Sequence, residues 1–212
     1  MTARLLRLVA TALAWGLAAG SAQAHPHVWV TMTSELVYAP DGAVTGVRQI
    51  WTFDDMYSAF ATQGLESKEK GKFTREELAD LAEVNITSLK DFDYFTFAKA
   101  NGKKTLFADP KDYWLEFKDA VLVLRFTLPF KAPVKARALD IEVYDPSYFV
   151  DFSFAENAAV TLAGAPPQCR FTVHKPTDPN TSANAAPLSE SFFTDQSNYG
   201  AAFANKVSVT CP

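Results

Sequence analysis

Cysteine and histidine are scarce in this 212-residue chain: two of the first, Cys169 and Cys211, and three of the second, His25, His27 and His174. Two lone cysteines without C-x-x-C spacing make a poor thiolate metal framework, and their simplest chemistry in an oxidising compartment is one disulfide. That bridge would close a separation of 42 positions, which loop entropy values at about 4 kcal/mol. No Gly-rich phosphate loop, dinucleotide fingerprint or nucleophile elbow occurs, so the common nucleotide and acyl-transfer motifs are missing. No apolar run reaches the roughly 20 residues that a spanning helix needs. There is no block of like charge that would read as a tail.

What is present begins with an export pattern. Arg4 and Arg7 precede a charge-free apolar run, 8–20, and then Ser21-Ala22-Gln23-Ala24, with Ala22 and Ala24 in the A-x-A arrangement. This order is that of a cleaved secretory signal over 1–24, so the mature chain is expected to start at His25, in the periplasm of a Gram-negative cell. Residues 25–212 then form one domain of ordinary size. Without Arg4 and Arg7, 18 basic residues face 24 acidic ones, a net of −6. That acidity disfavours nucleic acid and anionic lipid as partners.

Most of the mature chain reads as strand. Residues 27–38 and 44–53, joined by Asp41-Gly42, give a hairpin signal, and Asn101-Gly102 marks another turn between 94–99 and 104–107. Within 120–130, Leu122, Leu124, Phe126, Leu128 and Phe130 alternate onto one face. Segments 138–144, 148–154, 159–162, 170–174 and 206–210 complete the set. The expected class is mainly β (α+β), an antiparallel β-sandwich-like domain. The aromatic load, including Phe53, Phe60, Phe95, Phe126, Phe149, Phe152 and Phe154, reads as core. Proline-rich 175–205 reads as a long loop.

A helix-loop-helix insertion over about 54–92 interrupts the strands. Asp54 is placed to cap a helix in 54–65, with Gly64 as terminator, and Thr74 with Glu77 forms a capping box for a second helix over 74–90. Between them, 66–77 has the frame of an EF-hand loop, with Gly71 at the sixth place and Glu77 at the twelfth. Lys68 and Lys70 stand at the third and fifth places, where carboxylates must coordinate calcium. The insertion therefore reads as a degenerate EF-hand, and calcium is disfavoured.

Candidate chemistry concentrates at the new amino terminus. Signal cleavage would free the α-amino group of His25, which can chelate a metal together with its own imidazole. Strand alternation puts His25 and His27 on one face. Pro26 has no amide N–H, so a square-planar four-nitrogen site made from the tail alone is excluded and further donors are required. The candidates are His174, Asp54, Asp55, Asp145 and Asp151. Imidazole with carboxylate suits nickel, cobalt, zinc or copper. The plain alternatives are that His27 and His174 are ordinary strand residues, that Asp54 is only a cap, and that Asp145 of Tyr144-Asp145-Pro146-Ser147-Tyr148 serves a turn.

The start His25-Pro26-His27-Val28-Trp29, together with Trp51-Thr52-Phe53-Asp54-Asp55-Met56-Tyr57-Ser58, Asp93-Tyr94-Phe95-Thr96 and the 144–148 turn, resembles a family of exported bacterial proteins. That family carries the label of a domain of unknown function, or of a periplasmic component of an ABC-type transport system, and its members often sit beside nickel/cobalt permease genes. The resemblance implies a periplasmic accessory of a membrane metal transporter, permease or ABC-type, with nickel or cobalt as the favoured cargo and zinc or copper as others. The resemblance implies acids in the EF-like loop of many members, where this chain has Lys68 and Lys70. Two other readings stand beside this one: a copper-dependent oxidative enzyme built on the amino-terminal histidine, marked by a Tyr or Phe near the site, and a metal-free interaction module.

Overall fold

Val28–Tyr38 (β1) turns every second side chain inward along its length, which is the alternation a half-buried strand requires. The computed structural model describes residues 26–176 and 196–212, so the expected signal segment 1–24, His25 and most of the expected 175–205 loop lie outside the described residues. Val44–Phe53 (β2) returns antiparallel to β1, and Val121–Val134 (β6) and Lys111–Lys118 (β5) extend the sheet on that side. On the other side of β1, Val150–Phe154 (β8) and Val160–Ala163 (β9) pair with it in parallel, one after the other. A second sheet has the order Arg170–His174 (β10), Asn205–Thr210 (β11), Ala138–Val143 (β7), Thr96–Ala100 (β3), Lys103–Thr105 (β4). Two largely antiparallel sheets enclose one core, as the sandwich reading expects.

The core is Val, Leu, Ile and aromatic, with Trp51 set edge-on to Phe126 and Phe152 at 4.9 and 4.8 Å. All five alternating residues of β6 are buried. A polar thread crosses the core: Ser34 Oγ donates to Gln49 Oε1 at 2.7 Å and Thr96 Oγ1 donates to the Tyr94 carbonyl at 2.9 Å. These buried groups are satisfied, as desolvation demands. Cys169 and Cys211 are joined by a disulfide that fastens the start of β10 to the end of β11.

Several boundaries differ from the sequence reading. Strand β5 was not expected. Its aromatics point to both faces, and the insertion meets it on both: Phe73 meets Phe117 edge-on and Arg75 lies 4.5 Å over the Trp114 ring. The first helix is short, Asp55–Ala61 (α1), and the second begins later than its capping box, at Ala79–Leu89 (α2). Thr74 and Glu77 do make the box, Thr74 N–H to Glu77 Oε2 at 2.8 Å and Glu77 N–H to Thr74 Oγ1 at 3.2 Å. They close a turn that precedes the helix. A 3-10 segment, Lys90–Phe95, then takes Asp93 and Tyr94 into the left-handed region (φ 51 and 55°), so β3 starts at Thr96 and not at Tyr94. Part of the expected 175–205 loop is ordered as a 3-10 segment, Gln196–Phe203. Its Gly200 is packed so closely that an added Cβ would lie 1.7 Å from the Asp145 carbonyl oxygen.

Candidate functional site at the start of strand β1

The corner around His27 is assembled by two aspartates. Asp145 is buried at the end of β7; its Oδ1 accepts from Ser147 N–H and Oγ, both at 2.8 Å, and its Oδ2 from Val150 N–H at 3.0 Å. This is the side-chain-to-backbone closure that favours Asp in turns. Tyr148, in the left-handed region (φ 59°), completes the turn. The turn delivers the Phe149 carbonyl to the amides of His27 at 2.9 Å and Val28 at 3.3 Å, so it fixes where β1 begins.

From the other side Asp54 holds the same strand. Its Oδ1 caps α1 through Tyr57 N–H at 2.7 Å, and its Oδ2 accepts from Trp29 N–H at 2.8 Å. The Asp54 amide returns a bond to the Trp29 carbonyl at 3.0 Å. Ser58, one turn into α1 and buried, donates to the Asp54 carbonyl and accepts from Leu122 N–H at 2.9 Å, tying the helix to β6. Nothing in the sequence marked Ser58 for that role.

The side chains that face outward here are His27 and Trp29 from β1 with Asp151 from β8. Trp29 and Asp151 are register partners in the parallel pair, so they share the outer face, and His27 is two residues back on that face. Strand geometry places His27 and Asp151 as diagonal neighbours, roughly 8 Å apart at their Cα atoms. His27 is exposed, with its ring 4.9 Å from that of Phe149 and tilted by 34°. Phe149 and Phe60 are therefore surface residues, a correction to their reading as core. Asp151 is half-buried and burial pushes its carboxyl above the usual aspartate value. Among the described residues it has neither a hydrogen-bond donor nor a cation as partner.

The remaining candidates are dispersed. Asp55 is exposed in the first turn of α1, where its Oδ1 accepts from Met56 N–H at 2.8 Å. His174 is exposed on β10, the edge of the second sheet, opposite Lys206. Among the described residues no three His, Cys, Asp or Glu side chains gather as a complete metal shell. In the EF-like loop Gly71 takes φ +76° as its sixth place requires, and Glu77 turns inward. Its Oε1 accepts from Lys68 N–H at 3.0 Å, alongside the Thr74 bond, and these backbone donors hold its carboxyl below the usual glutamate range. The twelfth-place carboxylate thus binds N–H groups where an EF-hand would hold its ion.

Comparison with known proteins gives the lineage of this arrangement. Residues 10–211 match the model of a family described as "Protein of unknown function (DUF1007)". The chain belongs to this family. A DUF1007 chain of this kind is similar to an uncharacterized protein of Haemophilus influenzae, with 26% identity over 191 residues, 89% of this chain and 91% of that one. It is also similar to an uncharacterized 15.5 kDa protein in the trpE 3′ region of Spirochaeta aurantia, with 29% identity over 93 residues, 43% of this chain and 66% of the relative. Among solved structures, the Biomphalaria glabrata acetylcholine-binding protein type 1 matches at a TM-score of 0.35 and 8% identity, covering 89% of this chain and 87% of that one. The disulfide fits an exported protein. No helix among the described residues is long and apolar enough to cross a membrane.

Proposed function

We propose that this DUF1007 protein is a periplasmic binding protein for a divalent transition metal, nickel or cobalt before zinc or copper, working as an accessory to a membrane metal transporter. The observation that carries the reading is the outer-face pairing of His27 with Asp151. Asp151 is a half-buried carboxylate whose charged form is disfavoured by burial and has no partner among the described residues. A cation beside it would offset that cost. The donor set is the His25 amine and imidazole, the His27 imidazole and the Asp151 carboxylate, a mixed nitrogen-oxygen shell that suits these metals. Asp54 and Asp145 belong to the scaffold of the site, because their oxygens already hold backbone amides.

Titration of the mature chain with nickel and cobalt, alongside a chain with one alanine added before His25, tests this. Loss of high-affinity binding in the extended chain, and in His27→Ala, is expected; equal binding by all three removes the terminal chelate. Phe149 beside His27 favours a second reading, the copper oxidative enzyme, since that chemistry calls for an aromatic at the site. Copper-dependent turnover of a reductant with peroxide that is lost in His27→Ala would select it.

A further inference from the structure

The outer face of the six-stranded sheet holds a groove that the metal reading does not use. It has a volume of about 370 Å³ and runs across the strands from β9 to β5. Two rows of side chains in register build it. One row is Thr161, Glu35, Arg48 and Thr127, on β9, β1, β2 and β6. The next is Thr33, Ile50, Arg125 and Trp114, on β1, β2, β6 and β5. Strands lie about 4.8 Å apart, so crossing from β9 to β5 gives a length of roughly 19 Å. The volume falls in the range of small-molecule sites, which starts at about 300 Å³.

The lining decides the ligand, and its charges cancel. Arg48 pairs with Glu35, and Arg125 Nε lies 3.0 Å from Glu116 Oε2. At the β5 end the exposed Lys111 and Asp112 add one charge of each sign. A phosphate, a carboxylate or a metal ion would have to break one of these pairs to bind. A protein interface depletes charged residues at its centre, whereas Ile50 and Trp114 here stand among four ionic side chains, Glu35, Arg48, Asp112 and Arg125. An extended peptide takes main-chain bonds from a sheet edge, and this is a face. What the groove presents is hydroxyls and planar ion pairs. The three threonine hydroxyls donate and accept, each paired guanidinium keeps further N–H donors, and each carboxylate keeps lone pairs. Trp114 closes one end: its Nε1 donates to Glu116 Oε1 at 2.9 Å and Arg75 lies 4.5 Å over its ring, so the indole is set before a ligand arrives. Repeated hydroxyls, no net charge and a C–H face that can lie on an indole are the properties of a neutral saccharide chain.

We propose that this groove binds a neutral saccharide chain laid across the strands, with Trp114 as its apolar platform and the threonines and ion pairs as its hydroxyl partners. This goes beyond the metal reading and does not depend on it. The test titrates the mature chain, kept free of metal with EDTA, with soluble cello-, malto- and chito-oligosaccharides. An oligogalacturonate serves as the anionic counterpart and a proline-rich peptide as the protein-like one. Calorimetry reads affinity, and the amide and indole N–H signals read the place. Trp114→Ala removes the platform. Thr33→Val/Thr127→Val removes two hydroxyls while keeping side-chain shape and strand preference, and it decides the matter if Trp114→Ala does not fold; circular dichroism with a thermal midpoint verifies folding. Binding of at least one neutral series that shifts the Trp114 indole signal and weakens at least about tenfold in each folded variant supports the proposal, tenfold being about 1.4 kcal/mol. No binding of any neutral series overturns it. So does equal binding by a folded variant, or tighter binding of the oligogalacturonate or the peptide.

Discussion

Asp54→Ala separates scaffold from ligand most sharply. The substitution removes two acceptors at once: the cap on Tyr57 N–H and the bond from Trp29 N–H. Loss of an N-cap costs about 1 kcal/mol. The Trp29 bond is made to a carboxylate, and at a solvent-accessible site the lower end of the charged range applies, about 1.5 kcal/mol. The expected loss is therefore about 2–3 kcal/mol, or roughly 5–10 °C in thermal midpoint for a domain of this size. Asp54→Ser retains a capping oxygen and should recover the cap portion only. Asp55→Ala, whose carboxylate reaches only its neighbour Met56 N–H, should stay within about 0.5 kcal/mol. Urea unfolding of the four proteins gives the ordering, and amide exchange at Trp29 should quicken in both Asp54 variants. If Asp54→Ala is no worse than Asp55→Ala, the claim that Asp54 pins β1 to α1 is wrong.

Replacing Cys169 and Cys211 by serine should cost about 4 kcal/mol by loop entropy, seen in denaturant unfolding as an effect that reduction of the wild type reproduces; an indifferent variant contradicts it. Burial raises the Asp151 carboxyl above its unfolded value, so the folded state holds its proton more firmly and stability falls as pH rises through that window. Asp151→Asn should therefore be more stable than wild type at neutral pH, with the advantage vanishing below the ordinary aspartate value of 3.8; a destabilised variant at pH 7 would show a hidden partner. Glu77 is held below its usual range by amides of Thr74 and Lys68, so its contribution is present at neutral pH and is lost as pH falls through its lowered value. Glu77→Ala should lower the thermal midpoint at pH 7 while millimolar calcium leaves the wild-type midpoint unmoved, and a calcium-dependent rise would overturn the degenerate-loop reading.

The parts of the fold that local chemistry determines were legible in the sequence. Alternation located β1, β2 and β6, and Asp54 made the cap expected of it; Thr74 and Glu77 made their paired bonds, but in a turn ahead of the helix they were expected to cap. What failed was what depends on distant surroundings. Strand β5 shows no clean alternation because the insertion meets both of its faces, Arg75 at Trp114 and Phe73 at Phe117. The parallel pairing of β8 and β9 along β1 leaves no local period to read. Gln196–Phe203 is polar and small-residue in character, and its order comes from the turn at Asp145 that Gly200 fits against. For the site, sequence named the histidines and the acids but could not sort them. Coordinates separate Asp54 and Asp145, whose oxygens hold amides, from Asp151, whose oxygens do not.

The most direct measurement is paramagnetic broadening of amide signals when a stoichiometric divalent transition metal is added to the mature chain, with copper(II) as probe. The account predicts loss of the signals of His27, Trp29, Phe149 and Asp151 first. Broadening centred instead on His174 or on the 66–77 loop, with the β1 corner untouched, contradicts it.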